Sequence, residues 1–282
     1  MAANETVLGT VAEIWRFPIK SFGGESVVET HLDRSGIPGD RRLALRDVDT
    51  GKILSAKAPG IGTALLECSA TLAPSGEVSA TIAGQAIPVS DPAAFARAAS
   101  AHLGRTVQLE STVADGDTYD SYWPEIDGVL LSGVNVELPI AMSTEKASFV
   151  DLAALQMVTT SSLDYLQRLL PDSAVTAARF RPSLVIDTRA TAGLPDEFVE
   201  NGWTSRTARL GDAVIQLTDP SPRCVMTTLA QHDLPRDRAI LQTLASQNRI
   251  ETPGLGNFAC LGIYAEIVEP GIVRVGDTLT VG

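Results

Sequence analysis

Cysteine is scarce in this chain: Cys68, Cys224 and Cys260 are all there is in 282 residues. Three scattered thiols cannot build a disulfide framework, and none falls in a CxxC pair, so a reducing compartment is the simpler setting. An iron–sulfur cluster held by four thiolates is excluded on the same count. Histidine is equally sparse. His31, His102 and His232 lie far apart and no HExxH pattern exists, so the ligands of hydrolytic zinc chemistry are missing. No apolar run approaches the roughly 18 residues of a membrane span, and Met1 to Thr6 has neither the basic start nor the apolar stretch of a secretion signal. A soluble, cytoplasmic protein is expected, and the sequon-like Asn4-Glu5-Thr6 then carries no meaning. Positive charge is short too, with 22 Lys and Arg against 34 Asp and Glu for a net charge of −12. That field repels nucleic acid and anionic membrane, so neither is an expected partner. An anionic ligand would need a local cluster of bases.

What is present is a hydrophobic content of 44% in a chain long enough for two domains or one large one. Short strands separated by turns dominate the first hundred-odd residues: Val7 to Phe17, Arg41 to Asp47, a segment through Ala56, Leu65 to Leu72 and Val78 to Ile82. A small barrel or sandwich is the reading there. Asp91 as N-cap, Pro92 at the first helical position, Phe95, Ala99 and Leu103 on one face, and Gly104 past the end predict a helix. From Ser111 to Gly133 the composition turns to Asp, Gly, Ser and Tyr without a period, which places a domain boundary near residue 112. Beyond it, Ser161 or Ser162 caps a helix carrying Leu163, Leu166 and Leu170, strands follow at Leu184 to Asp187 and Ala213 to Thr218, and Pro235 to Arg249 reads as helical. Three strands close the chain, at Gly262 to Glu269, Ile272 to Val275 and Thr278 to Val281. The fold class is α+β, strand-rich, with residues 1–112 as an N-terminal β-barrel-like domain and 113–282 as a second barrel domain with a few helices.

The segment Pro222-Arg223-Cys224-Val225-Met226-Thr227-Thr228 is the most informative. A guanidinium beside a thiol favours thiolate, the form that attacks electrophiles or binds a soft metal; a cysteine here is also what a small buried hydrophobe looks like. Phe17-Pro18-Ile19-Lys20-Ser21 ends the first long strand with an ammonium and a hydroxyl, able to hold a phosphate or simply solvated. Arg41, Lys57, and Arg179 and Arg181 in Arg179-Phe180-Arg181-Pro182 add cations at strand edges, which form an anion pocket only if they converge. Asp151 is an acid in an apolar run, suited to pairing with a cation, orienting a cofactor or relaying a proton. Gly254-Leu255-Gly256-Asn257-Phe258-Ala259 meets a loose dinucleotide-binding template but precedes a terminal strand instead of opening a helix.

In their order and spacing these segments resemble the MOSC family, named for the molybdenum cofactor sulfurase C-terminal domain, behind its N-terminal β-barrel domain. The carriers are Val11 to Ser21, Gly39-Asp40-Arg41-Arg42, Ser161-Ser162-Leu163, Arg179 to Pro182, Pro222 to Thr228, and Gly262-Ile263-Tyr264-Ala265 with the turns at Pro270-Gly271 and Val275-Gly276-Asp277. By resemblance to the family's amidoxime-reducing members, Cys224 binds molybdenum beside the pterin of the molybdenum cofactor (molybdopterin). Lys20, Ser21, Arg41 and Arg181 then match the positions that hold the cofactor's phosphate, with Lys57, Thr160, Ser161 and Thr227 as further donors. Arg223 favours the thiolate, and Asp151 orients the site or handles a proton.

The implied activity is that of an oxidoreductase: two-electron reduction of an N-hydroxylated small molecule to its N–H product and water. A separate electron donor, a flavin or iron–sulfur protein, must act as partner. The chain departs from the family's pattern at Leu229-Ala230 after Thr228, at Ser183 after Phe-Arg-Pro, and at Leu152-Ala153-Ala154 after Asp151. Two other functions use the same thiol. One is sulfur transfer or C–S bond cleavage without molybdenum or pyridoxal phosphate, through a Cys224 thiolate or persulfide; the other is non-catalytic carriage of molybdopterin. Cys68, read in a strand, and Cys260 are expected to be core.

Overall fold

The computed structural model describes residues 5–126, 133–142, 148–252 and 256–282. Asn4 of the sequon, Gly254 and Leu255 of the dinucleotide template, and residues 127–132 of the expected linker lie outside them. The first part runs β1 (Thr6–Arg16), β2 (Glu25–Val27), β3 (Glu29–Leu32), β4 (Ala44–Asp47), α1 (Gly62–Leu66), β5 (Ser69–Leu72), β6 (Val78–Ile82), β7 (Gln85–Pro88), α2 (Pro92–Leu103) and β8 (Val107–Glu110). A hairpin of β9 (Thr118–Trp123) and β10 (Val134–Pro139) follows. Then come β11 (Leu155–Thr159), α3 (Thr160–Leu169), α4 (Ala177–Phe180), β12 (Leu184–Asp187), β13 (Thr207–Leu210), β14 (Ala213–Pro222), α5 (Ala239–Gln247), β15 (Arg249–Thr252), β16 (Gly256–Glu269), β17 (Gly271–Arg274) and β18 (Thr278–Val281). The fold is strand-rich α+β.

Seven strands close into a barrel in the order β11-β12-β1-β18-β13-β14-β16, with β16 returning to β11. Closure leaves its strands without a free edge. Leu8, Val11 and Ile14 of β1 point into the core three residues apart, a spacing that strict alternation does not produce. Register shifts between Val7 and Gly9 on the β18 side, and between Val11 and Glu13 on the β12 side, supply the extra residues. The barrel is filled by Met157, Leu184, Ile186, Leu210, Ile215, Leu217, Ile263 and Leu279, together with the β1 residues.

Because β1 pairs with β12 and β18, and β3 pairs with β17, these N-terminal strands are built into sheets with strands of the second half. The sheets are therefore not partitioned at residue 112. A second core, holding Ile19, Phe22, Leu45, Leu65 and Phe95, packs α2 against β4, β5, β6 and β8, and Met226 and Leu229 press on it from just beyond Cys224.

Local signals match where caps are strong. Asp91 accepts a hydrogen bond from Ala94 N at 2.9 Å, Pro92 opens α2, and Gly104 ends it in the left-handed region. α3 is capped two or three residues earlier than expected, by Thr159 accepting from Ser162 N. The strand read over Leu65 to Leu72 splits into α1 and β5, so Cys68 sits between them. Leu65 and Leu66 are both buried, which a single helical turn allows and a strand, sending neighbours to opposite faces, does not.

Gly262 sits where β16 turns past β11, at φ +87. A Cβ there would lie 2.3 Å from Met157 O and 2.4 Å from Gln156 Nε2. Gly262→Ala is expected to cost about 3 kcal/mol or more through combined strain and overlap, read as a shift in the urea denaturation midpoint.

Candidate active site

β1 ends at Arg16, and Pro18 just beyond has no N–H with which to resume the ladder. Lys20 N donates to Leu43 O at 2.8 Å and Ser21 adopts φ 67. Ser21 Oγ accepts from Ala56 N at 2.9 Å, which ties the Lys57 segment to the β1 exit. Arg41 N donates to Phe17 O at 2.7 Å, and Asp40 accepts from Phe17 N at 2.7 Å while its carboxylate pairs with Arg41. Arg41 (φ 47) and Arg181 (φ 49), like Ser21, hold left-handed backbone that non-glycine residues rarely adopt. Both guanidinium carbons stack on the Phe17 ring, at 4.6 and 4.2 Å from its centre.

Cys224 follows the end of β14 as the N-cap of a short 3-10 turn, Val225–Thr228. Thr227 N and Oγ1 both donate to Cys224 O, at 3.3 and 3.1 Å. Arg179, wholly buried, holds the loop beyond by donating to Pro235 O at 2.8 Å and Leu229 O at 3.3 Å. These segments enclose a cavity of about 120 Å³. Its wall carries six basic side chains, Lys20, Arg41, Lys57, Arg179, Arg181 and Arg223, against the single carboxylate of Asp151, with Ser21, Cys224 and Thr227 among them. In a chain of net charge −12 this is a concentrated reversal of sign.

Asp151 is the hub of that charge. One oxygen pairs with Lys20, and the other lies 2.9 Å from Lys57 Nζ. Burial alone would raise the Asp151 pKa, but Lys20 and Lys57 outweigh it and hold the carboxyl well below the usual carboxylate range. Asp151 is thus ionised at neutral pH and fitted to orient the lysines; as a source of protons it is poorly suited. Burial lowers the Lys20 pKa, and Lys57 and Arg41 lower it further against the opposing pull of Asp151. Burial also works against charge on Lys57, yet Asp151, Tyr119 and Cys224 carry its pKa well above the ordinary lysine value. Burial, with Arg41 adding to it, pushes Arg181 down to about 9, still charged at neutral pH. The Arg181 guanidinium donates no hydrogen bond to any described residue. Its donors are free for an anion.

Nine of the eleven residues singled out in the sequence line this cavity: Lys20, Ser21, Arg41, Lys57, Asp151, Arg181, Arg223, Cys224 and Thr227. Thr160 and Ser161 do not. Both face β12, where Thr160 Oγ1 donates to Asp187 at 2.9 Å and Ser161 Oγ lies 2.7 Å from Thr188 Oγ1, so they secure α3 to the barrel. Arg223 is at the wall, but its donors go to Leu261 O (2.7 Å from Nε) and Phe180 O (3.0 Å from Nη1), bracing the turn. The guanidinium also interacts electrostatically with the neighbouring Cys224.

Sequence reasoning missed Gln156, Tyr264 and Tyr119. Gln156 Nε2 donates to Met157 O at 3.0 Å, leaving Oε1 buried and unpartnered at the wall. Gln156 and Tyr264 are register partners across β11 and β16. A polar residue inside the five buried residues of β11 was the available signal. Glu200, also unremarked, is fully buried and accepts from Thr159, Ser162 and Gly262 N, a structural tie.

No group of three or more His, Cys, Asp or Glu able to hold a metal exists among the described residues. Cys224 could give a metal one protein ligand, so any metal here must arrive with other ligands of its own. The cavity fits a phosphate-bearing, metal-carrying group: a soft donor in Cys224, free cationic donors in Arg181, and an orphaned acceptor in Gln156. Cys68 and Cys260 are buried elsewhere. No helix among the described residues is long and apolar enough to cross a membrane.

Sequence comparison places this arrangement. The MOSC N-terminal beta barrel domain matches residues 8–114 and the MOSC domain matches residues 144–280. The chain belongs to the MOSC family, with the family's N-terminal barrel domain in front. It is similar to mitochondrial amidoxime-reducing component 1 of Mus musculus and of Homo sapiens, at 24% identity over 96% of this chain and 81% and 82% of those proteins. Among solved structures it is similar to the YUAD protein of Bacillus subtilis, 10% identical with a TM-score of 0.43 over 99% of this chain and 97% of that one. The two matched segments leave out residues 115–143, which carry β9 and β10.

Asp151→Asn leaves two buried ammonium groups without their carboxylate and is expected to cost about 3 kcal/mol at pH 7. Because the Asp151 pKa is depressed in the folded state, its contribution is complete above the unfolded value near 4 and is lost as pH falls below it. Urea unfolding of both proteins between pH 3 and 7 should therefore show a constant gap that narrows only below about pH 4.

Proposed function

We propose that the protein binds the molybdenum cofactor through Cys224 and reduces N-hydroxylated small molecules. The observation that carries the reading is one cysteine on the wall of a cavity with six cations and a single carboxylate. A thiolate suits a soft metal, and the cations suit a phosphate arm in a protein whose overall charge repels anions. Membership of the MOSC family and the likeness to amidoxime-reducing proteins supply the substrate class.

In this reading Cys224 is the protein's ligand to molybdenum. Lys20, Ser21, Arg41 and Arg181 hold the phosphate, with Lys57 and Thr227 beside them, and Thr160 and Ser161 take no part. Arg181 contributes most of the free donors. When bound, the cofactor supplies a two-electron couple at the metal. The net reaction takes one N–OH compound, two electrons and two protons to the N–H compound and water. The electrons come from a separate flavin or iron–sulfur protein, since three cysteines cannot hold a four-thiolate cluster. Asp151 keeps Lys20 and Lys57 in place, and Arg223 and Arg179 brace the turn that presents Cys224.

The test is metal analysis of protein purified from a host that makes the cofactor, joined to reduction of an amidoxime with a chemical electron donor. Near-stoichiometric molybdenum is expected in the wild type, in Cys68→Ala and in Cys260→Ala, with loss in Cys224→Ser and a severalfold reduction in Arg181→Ala. Wild-type protein without molybdenum overturns the reading. If Cys224 then takes up labelled sulfur, the function is sulfur transfer. Molybdenum held without turnover of any N-hydroxylated compound instead makes the protein a carrier.

A further inference from the structure

Tyr119 belongs to β9, in the stretch between residues 114 and 144 that neither matched domain covers. It is 1% exposed and, with Ser121, one of the two buried residues of β9. Its ring centre lies 4.8 Å from Lys20 Nζ and 5.3 Å from Lys57 Nζ. Both ammonium groups share Asp151, so one carboxylate faces two cations; Lys20 Nζ also donates to Phe149 O at 2.9 Å, the Tyr119 hydroxyl hydrogen-bonds with Lys57, and Arg41 and Cys224 bear on the pair as well. An aromatic face supplies the negative potential the second cation lacks. The main chain adds grip on the same segment. Ile53 N donates to Thr118 O and Tyr122 N donates to Lys57 O, each at 2.9 Å. Phe149 and Val150, which lead into Asp151, pack in the same cluster as the ring.

We propose that Tyr119 is a positioning residue whose ring holds Lys20 and Lys57 in their paired arrangement around Asp151, the arrangement that receives the ligand's anionic arm. The consequence for binding rests on the reading of the cavity as a phosphate site; the positioning itself does not. A hairpin outside the two matched domains thereby reaches beneath the charged wall of the cavity.

Crystal structures of Tyr119→Phe and Tyr119→Leu test the positioning without any ligand. The Phe variant should keep both lysines on Asp151, and the Leu variant should release at least one of them. Lysines unmoved in Tyr119→Leu overturn the proposal, as does their release in Tyr119→Phe, which would assign the effect to the hydroxyl. Calorimetric titration of the full chain with inorganic phosphate tests the consequence. Affinity should fall about tenfold in Tyr119→Leu and stay within about twofold in Tyr119→Phe. Ile140→Ala, in the same apolar cluster but away from the lysines, controls for loosened packing. It should lower the melting temperature and leave phosphate affinity unchanged; a loss matching Tyr119→Leu reduces Tyr119 to packing and overturns the proposal. Wild-type protein that binds no phosphate counts against the cavity reading alone, because the two crystal structures still decide the role of Tyr119.

Discussion

The structure depends on one strand being held on both sides. β1 is hydrogen-bonded to β12 and to β18, and without it the seven-stranded barrel is an open sheet with two raw edges. Closure also fixes where β1 stops. The ladder stops at Arg16, Pro18 bars its resumption, and Lys20 and Ser21 are delivered to the rim by a strand that cannot slip, since a one-residue shift would turn Leu8, Val11 and Ile14 out of the core. β14 reaches the same rim with Cys224 just beyond its last residue. The barrel thus sets the thiol against the first lysine from segments about two hundred residues apart.

Around that rim the electrostatics follow from burial. Six cations in one small cavity repel one another, and water is too limited there to screen them. The fold answers with few acids and many neutral partners. Asp151 serves two lysines, Asp40 serves Arg41, the Phe17 ring lies under two guanidinium groups, and backbone carbonyls absorb Arg179 and Arg223. The remainder is an unbalanced positive charge centred on Arg181. A cavity left in that condition is complementary to an anion of more than one charge.

The sequence disclosed the parts of this arrangement that are local. α2 could be read from Asp91, Pro92 and Gly104, because a cap, a fixed φ and a left-handed end are properties of single residues. The start of β14, the end of β16 and the cations near strand tips were legible too, while β14 runs on to Pro222, beyond the Thr218 read from the sequence. Convergence was not, since it depends on barrel closure, and β1 itself hides the alternation that would betray its inward face because two bulges shift its phase. Proximity in sequence put Arg223 beside the thiol but could not show that its donors go to Leu261 O and Phe180 O. It misled at Thr160 and Ser161, where a helix start looks like an anion site until Asp187 and Thr188 are found to use the hydroxyls. Tyr119 could not be found at all from a segment without period.

Ser21, Arg41 and Arg181 share a left-handed backbone that glycine would occupy without strain. Each therefore holds its place against a simpler residue that would fit the chain better. Glycine at all three would relieve the backbone alone, while erasing a hydroxyl and two guanidinium groups from the cavity. Drift toward stability and retention of the site pull in opposite directions at these positions, so the backbone angles record a demand that the side chains alone would leave invisible.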